Sequence, residues 1–318
     1  MSVGVIGHLP NPSPDEAVTL ATASEGAGAD WIGLADAFWW RDVWLLLGEL
    51  ARATTRIELG PAMTNAYLRH PFHTLSALAT LQDLAGERVF LGLAAGGSEL
   101  SLAAGVDRAD APARVGALAD LARRVAAGAP LDEASGRHLD VPLRPAPVLV
   151  AGGKPAVQVA AGACADRVLV WATARSELAG VIARVRGAAE AAGRAPTLIW
   201  APLVAAGEGP VPDHVAAVAV YAALNAPVAA QRRWGLDRPR VEAVRRELVA
   251  GRPAEARALV PGAVFDDLVL RGEDAMPAAA GALARQLGVG GVAVPGFSVE
   301  GVGEQVAWAS AVLAVARA

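Results

Sequence analysis

The chain has 318 residues, 54% hydrophobic and 19% charged, which is enough apolar surface for a large core and too much for intrinsic disorder. A formal net charge of −4, with both signs scattered, excludes the basic field that nucleic acid or an anionic membrane surface requires. Its one cysteine, Cys164, excludes an internal disulfide and a cysteine-built zinc site and fits a reducing compartment.

Residues 1–9 lack a basic n-region, and their apolar stretch is only a strand long before Pro10. The longest apolar runs, such as 215–224, fall far short of the roughly 20 residues a bilayer span needs. A soluble, cytoplasmic protein is the expectation. The run over 3–7 predicts the first strand. Ser13-Pro14-Asp15-Glu16 then combines proline at the first helical position with Glu three residues after Ser, a capping box. The helix it opens ends at the Gly26/Gly28 pair. Further strands are predicted over 31–34, 57–60, 89–93, 148–151, 168–171, 197–204 and 292–295. Helices are predicted over 41–53, 71–84, about 112–126 and 302–315.

Each strand is a continuous apolar run rather than an alternating one, the mark of strands covered on both faces. Eight strand–helix units favour a closed (β/α)8 TIM barrel over an open sheet, and a single α/β domain over 1–318. Two stretches break the repeat. Residues 130–147 are rich in Pro and Gly and predict an excursion with a short hairpin. Residues 206–287, between the seventh and eighth strands, predict a helical insertion that forms a lid over the barrel mouth.

Active sites of such barrels are built from the loops after the strands. Those loops hold His8, Asp36, Ala62-Met63-Thr64-Asn65, Ala95-Gly96-Gly97-Ser98, Gly152-Gly153-Lys154 and Ala172-Thr173-Ala174. Gly152 and Gly153 let the backbone approach an anion, Lys154 adds charge, and Pro155 opens a helix whose N-terminus attracts anions. A plain glycine turn before a helix explains the same residues equally well, and better for the Gly96-Gly97 loop. Asp36 precedes Phe38, Trp39 and Trp40, so a carboxylate beside an aromatic wall can orient a polar ring system. The competing reading pairs Asp36 with Arg41 or makes it a helix cap. His8 reads either as a proton donor or as a structural hydrogen-bonding group. His70, in Arg69-His70-Pro71, reads as structural. No spacing among the five histidines points to a metal, and no nucleophile elbow is present.

The stretches Ala35-Asp36-Ala37-Phe38-Trp39-Trp40-Arg41-Asp42-Val43, Leu59-Gly60-Pro61-Ala62-Met63-Thr64-Asn65-Ala66-Tyr67-Leu68-Arg69-His70-Pro71 and Arg88-Val89-Phe90-Leu91-Gly92-Leu93-Ala94-Ala95-Gly96 carry more. They resemble the luciferase-like monooxygenase superfamily, within it the coenzyme F420-dependent branch typified by methylenetetrahydromethanopterin reductase. Ala151-Gly152-Gly153-Lys154 and Ala165-Asp166-Arg167-Val168 continue the resemblance, which fades over 206–287. It implies a cis peptide at Ala62–Met63 behind the deazaflavin ring. It places Asp36, Asn65, Ala95, Gly96 and Gly97 along the ring and ribityl chain, and Gly152, Gly153, Lys154 and Thr173 at the phosphate. His8 and Asp36 would be the catalytic residues, and Phe38, Trp39 and Trp40 the substrate pocket. Members of the family often carry histidine where this chain has Ala37, so any acid–base task passes to another group, with His8 the first choice. Trp39 and Trp40 replace smaller polar residues, which argues against a pterin substrate.

The implied function is an F420-dependent reductase that delivers hydride to an activated C=C or C=N bond of a small organic or peptide substrate, in specialised metabolism. An FMN-dependent monooxygenase and a non-catalytic flavin-binding relative are the alternatives. A homodimer is implied as well.

Overall fold

The computed structural model describes residues 1–7, 12–97, 103–205, 209–275, 277–296 and 301–317. Its central sheet contains β1 (Ser2–Gly7), β2 (Trp31–Leu34), β3 (Glu58–Pro61), β4 (Thr64–Asn65), β5 (Leu91–Ala94), β6 (Val148–Ala151), β7 (Arg167–Trp171), β8 (Thr197–Ala201) and, after two strands outside it, β11 (Gly291–Pro295). All pair in parallel, in the order β3-β2-β1-β11-β8-β7-β6-β5-β4. β3 and β4 are two halves of one segment, and a parallel bridge between Leu59 and Val89 joins β3 to the approach to β5. Nine strands therefore fill eight positions around a nearly closed barrel, as the pattern of apolar runs implies.

The period of two along each strand divides every apolar run between two cores. Ile6, Trp31, Phe90, Leu149, Leu169, Ile199 and Ala293 fill the barrel interior. Their neighbours Val5, Ile32, Leu91, Val150, Val168, Trp200 and Val294 face the surrounding helices. Inside, Trp31 and Phe90 meet edge to face, with centroids 5.8 Å apart. That filling depends on Gly4, where a Cβ would lie 1.9 Å from the Trp31 ring.

The outer ring is built from α1 (Pro14–Ala27), α2 (Val43–Ala53), α3 (Pro71–Ala85), α4 (Ala111–Ala126), α5 (Pro155–Cys164) and α6 (Arg175–Ala191). The capping box forms: the Glu16 N–H donates to Ser13 Oγ at 3.2 Å, and the Ser13 N–H to Glu16 at 2.8 Å. Helix α2 begins two residues later than its sequence suggests. Asp42 caps it, accepting from the N–H of Trp44 at 2.9 Å and of Leu45 at 3.4 Å, because a short carboxylate satisfies orphan donors better outside the helix than within it. The expected hairpin reduces to one antiparallel bridge, Asp132 with Arg137.

The run over 197–204 differs from its expected single strand. It breaks after β8, and β9 (Leu203–Ala205) leaves the barrel to pair in parallel with β10 (Val269–Arg271). Between them lie α7 (Asp213–Asn225), α8 (Val228–Arg233), α9 (Arg238–Val249), α10 (Pro253–Ala258) and α11 (Gly262–Leu268). These pack around a core of their own, which includes Leu203, Val215, Ala219, Trp234, Val244, Val264 and Val269. The ring resumes with α12 (Pro277–Gln286) and α13 (Gly301–Arg317). Among the described residues no helix is long and apolar enough to cross a membrane.

Candidate functional site

A cavity of about 540 Å³ opens at the C-terminal ends of the strands, a size that suits one medium-sized organic ligand. Its floor comes from the barrel, through Ile6, Ala62, Met63, Leu169 and Trp171. Its roof comes from the insertion, through Ala217, Val218, Tyr221, Asn225, Trp234 and Leu248. The Ala62–Met63 peptide is cis and lies on this wall between the two halves of the interrupted strand.

Asp36, Trp39, Trp40, Asn65, Ala95, Gly96, Gly97, Gly152, Gly153, Lys154 and Thr173 all line the same cavity. Asn65 at the end of β4 and residues from the loops after β2, β5, β6 and β7 thus converge, as neighbouring C-terminal strand ends must. Phe38 does not join them. It is 53% exposed and packs edge to face on Trp39 with centroids 4.8 Å apart, because the turn after Asp36 directs it outward. His8 lies outside the described residues.

Asp36 neither pairs with Arg41 nor caps α2. Its Oδ2 accepts from the Thr64 hydroxyl at 2.6 Å, while the Arg41 guanidinium donates to the Pro12 carbonyl at 3.4 Å. Burial pushes the Asp36 carboxyl above its ordinary value, against the Thr64 hydrogen bond and Arg69, with Asp42 adding to the rise. Ala37 is buried beside it. Asn65 spends its side-chain oxygen locally, accepting from the N–H of Tyr67 at 3.1 Å and of Leu68 at 2.9 Å, so what it can offer a ligand is a donor. His70 is structural: its Nδ1 accepts the Phe72 N–H at the start of α3, at 3.3 Å.

The glycine loop before α5 borders the cavity, and at Gly152 an added Cβ would lie 2.3 Å from the Val157 side chain. Gln158, buried, donates Nε2 to the carbonyls of Gly152 at 3.3 Å and Gly153 at 3.2 Å. Helix α5 receives no side-chain cap, so its first N–H donors are open to a ligand. At Gly153 the nearest atom to an added Cβ is the Asn225 carbonyl, 3.5 Å away. Lys154 lines the cavity, and burial, followed by the charges of Arg245 and Arg108, pulls its ammonium below the ordinary lysine value. These features fit a planar cofactor with an anionic tail. Among the described residues no three His, Cys, Asp or Glu side chains gather as for a metal.

Tyr221 has no counterpart among the sequence expectations. Its hydroxyl stands 1.6 Å from where a Cβ on Gly97 would be, and its ring meets Trp171 edge to face at 6.2 Å. The available signal was a lone aromatic in the apolar run of α7, a helix whose docking direction the sequence does not encode.

The model of the luciferase-like monooxygenase family matches residues 2–290. The chain belongs to this family. One relative of the luciferase-like chain is the 5,10-methylenetetrahydromethanopterin reductase of Archaeoglobus fulgidus, 38% identical over 73 residues, which is 23% of this chain and 22% of that protein. The chain thus matches under a quarter of that relative's length. Over its whole extent the luciferase-like fold is similar to the coenzyme F420-dependent tetrahydromethanopterin reductase from Methanopyrus kandleri, with a TM-score of 0.81, 19% identity and 98% of each chain covered. It is also similar to an F420-dependent secondary alcohol dehydrogenase in complex with an F420–acetone adduct, with a TM-score of 0.74, 17% identity, and 99% of this chain and 98% of that one covered.

Proposed function

We propose that the chain is an F420-dependent reductase that transfers hydride to an activated C=C or C=N bond of a small organic or peptide substrate in specialised metabolism. It would act as a cytoplasmic homodimer of single-domain chains whose insertion over 206–287 serves as a lid. The observation that carries the reading is the joining of Ala62–Met63, two glycine loops and a cationic corner in one slot. The activities of the F420-dependent proteins it is similar to support it.

When bound, the reduced deazaflavin supplies a hydride equivalent, and the chain must supply position, dryness and a proton. Ala62 and Met63 back the ring. Gly96 and Gly97 would border the ribityl chain, with the space beside Gly97 filled by the Tyr221 hydroxyl. Gly152, Gly153, Lys154 and Thr173, with the open N-terminus of α5, take the phosphate. Trp39, which is 47% exposed, and Trp40 present an aromatic wall at the cavity mouth that suits a flat, weakly polar substrate rather than a pterin. Reduction of C=C or C=N needs one proton for each hydride. Asp36, which holds its proton to a higher pH than an exposed aspartate and is oriented by Thr64, delivers it from Oδ1 or Oδ2 to the substrate atom that gains the electron pair. His8 is its partner or substitute in that task.

The family's monooxygenase character favours a second reading, oxygen activation with FMN. Anaerobic single-turnover absorbance with the reduced deazaflavin, run beside oxygen-electrode measurements, separates the two. Substrate-dependent bleaching without oxygen supports reduction. Turnover that requires oxygen and consumes it in step with substrate supports oxygenation.

A further inference from the structure

Lys154 lines one end of the cavity, and the charges of Arg245 and Arg108, from two other elements, reach it there. Lys154, before α5, donates Nζ to the Ala226 carbonyl at 3.2 Å. Arg245, on α9, donates Nη2 to the Leu224 carbonyl at 3.4 Å, and its Nε is buried with no hydrogen-bond partner among the described residues. Both thus end on the last turn of α7. Arg108, from the loop after β5, donates to the Gly96 carbonyl, and Gly96, Lys154 and Ala226 all line the cavity.

The neighbouring acids are engaged elsewhere: Glu242 with Arg238, Glu247 with Arg252, Asp110 with Arg114, and Glu177 with Arg233. Cations at the C-terminus of α7 complement its dipole, which accounts for one of the three. It does not account for Arg108, which comes from the neighbouring loop after β5 and donates to Gly96 rather than to α7. Like charges gathered in partial burial repel, and an anion placed among them would relieve that repulsion. The chain as a whole is negative, so the corner runs against the general field.

We infer that this corner takes the tail of the coenzyme proposed above, and that Arg108 and Arg245 select a tail bearing several negative charges over a single phosphate. The inference rests on that functional reading. Around the mouth, the wall with Ala62–Met63 is followed by the β5 loop with Gly96 and then the β6 loop with Lys154. A ligand whose ring rests on the first wall therefore runs its tail toward the cations. Asp36 and the tryptophans, on the β2 loop, are left for substrate. Lys154 and the α5 N-terminus meet the phosphodiester. The two planar guanidinium groups match the carboxylates of an attached glutamate chain.

The test is equilibrium binding to the full chain, read by quenching of chromophore fluorescence. The probes are the tail-less deazaflavin riboside, the coenzyme with one glutamate, the coenzyme with several, and FMN, each at low and high salt. The expected result is that the longest tail binds about 100-fold more tightly than the riboside at low salt and that the gap narrows as salt rises. Arg245→Gln and Arg108→Gln each cut affinity for the long tail about 10-fold and leave the riboside within about twofold, while Arg245→Lys retains most of the preference. Melting curves establish that each variant is folded. Affinity independent of the tail, or an equal loss for every chromophore, overturns the inference but not the functional reading. Binding of FMN alone, or of no deazaflavin, overturns both.

Discussion

Asp36 has exchanged most of its water for one hydroxyl donor, and two consequences follow at the level of the single residue. Its carboxyl binds a proton more tightly in the folded chain than the ordinary value of 3.8. That contribution to stability is therefore complete below the ordinary value of 3.8 and is lost as pH rises through the folded value, above which the buried charge is a cost. Asp36→Asn should raise stability at neutral pH by about 1 kcal/mol, a gain that vanishes on acidification toward pH 3.8, while lowering kcat by about 10²-fold or more. Melting curves at the two pH values, with rates on any accepted substrate, check both halves. Glu25 has the opposite sign. Burial pulls its carboxyl up, but the N–H groups of Ile57, Arg56 and Thr55, donating at 2.8, 2.6 and 3.0 Å, together outweigh that and bring it down to about 2 from 4.5. Its stabilisation is full above about 4.5 and is lost as pH falls toward about 2. Glu25→Gln should cost about 1 kcal/mol at neutral pH, discounted for the solvent that reaches it. The cost should shrink along the acid limb of a pH–stability profile.

At the scale of elements, the insertion is seated by a few specific ties. Asp267, at the end of α11, accepts from the Ser176 hydroxyl at 2.6 Å, the Ser176 N–H at 3.0 Å and the Trp234 indole at 2.9 Å, joining the insertion to the start of α6. Opposite, Tyr221 on α7 closes onto Gly97, where any side chain would collide with its hydroxyl. Gly97→Ala should cost about 1–3 kcal/mol through this overpacking, and adding Tyr221→Ala should recover part of it. Chemical denaturation of the four members of the cycle measures the coupling, and simple additivity would show that the two residues do not touch. The helical character of the insertion was legible in its sequence, but its strand was not. Val269–Arg271 is three residues between helices, too short for a periodic signal, and its partner β9 lies far upstream. The same limit hid the break after Ala201: a run apolar throughout carries no mark of where it leaves one sheet for another.

For the whole molecule, the apolar runs and the capping box at Ser13 were enough to read eight barrel positions, since burial on both faces leaves its signature in every strand. The mouth residues were readable because the fold fixes which strand ends meet. The cis bond at Ala62–Met63 was legible only through family resemblance, since no property of alanine or methionine calls for it. The cationic corner was illegible: Arg108, Lys154 and Arg245 lie far apart in the chain, and only the barrel and the seat of α9 bring them together. Phe38 followed the opposite course, an aromatic beside two pocket tryptophans that the turn sends into solvent. On the function proposed above, the slot between the Ala62–Met63 wall and the insertion takes a deazaflavin in preference to FMN. Anaerobic calorimetric titration of the purified apo-chain with F420 and with FMN tests it most directly. Saturable binding of F420 at micromolar concentration or below, with FMN weaker by at least about 10-fold, is the result the structure predicts. Tight binding of FMN with no heat from F420 would contradict it.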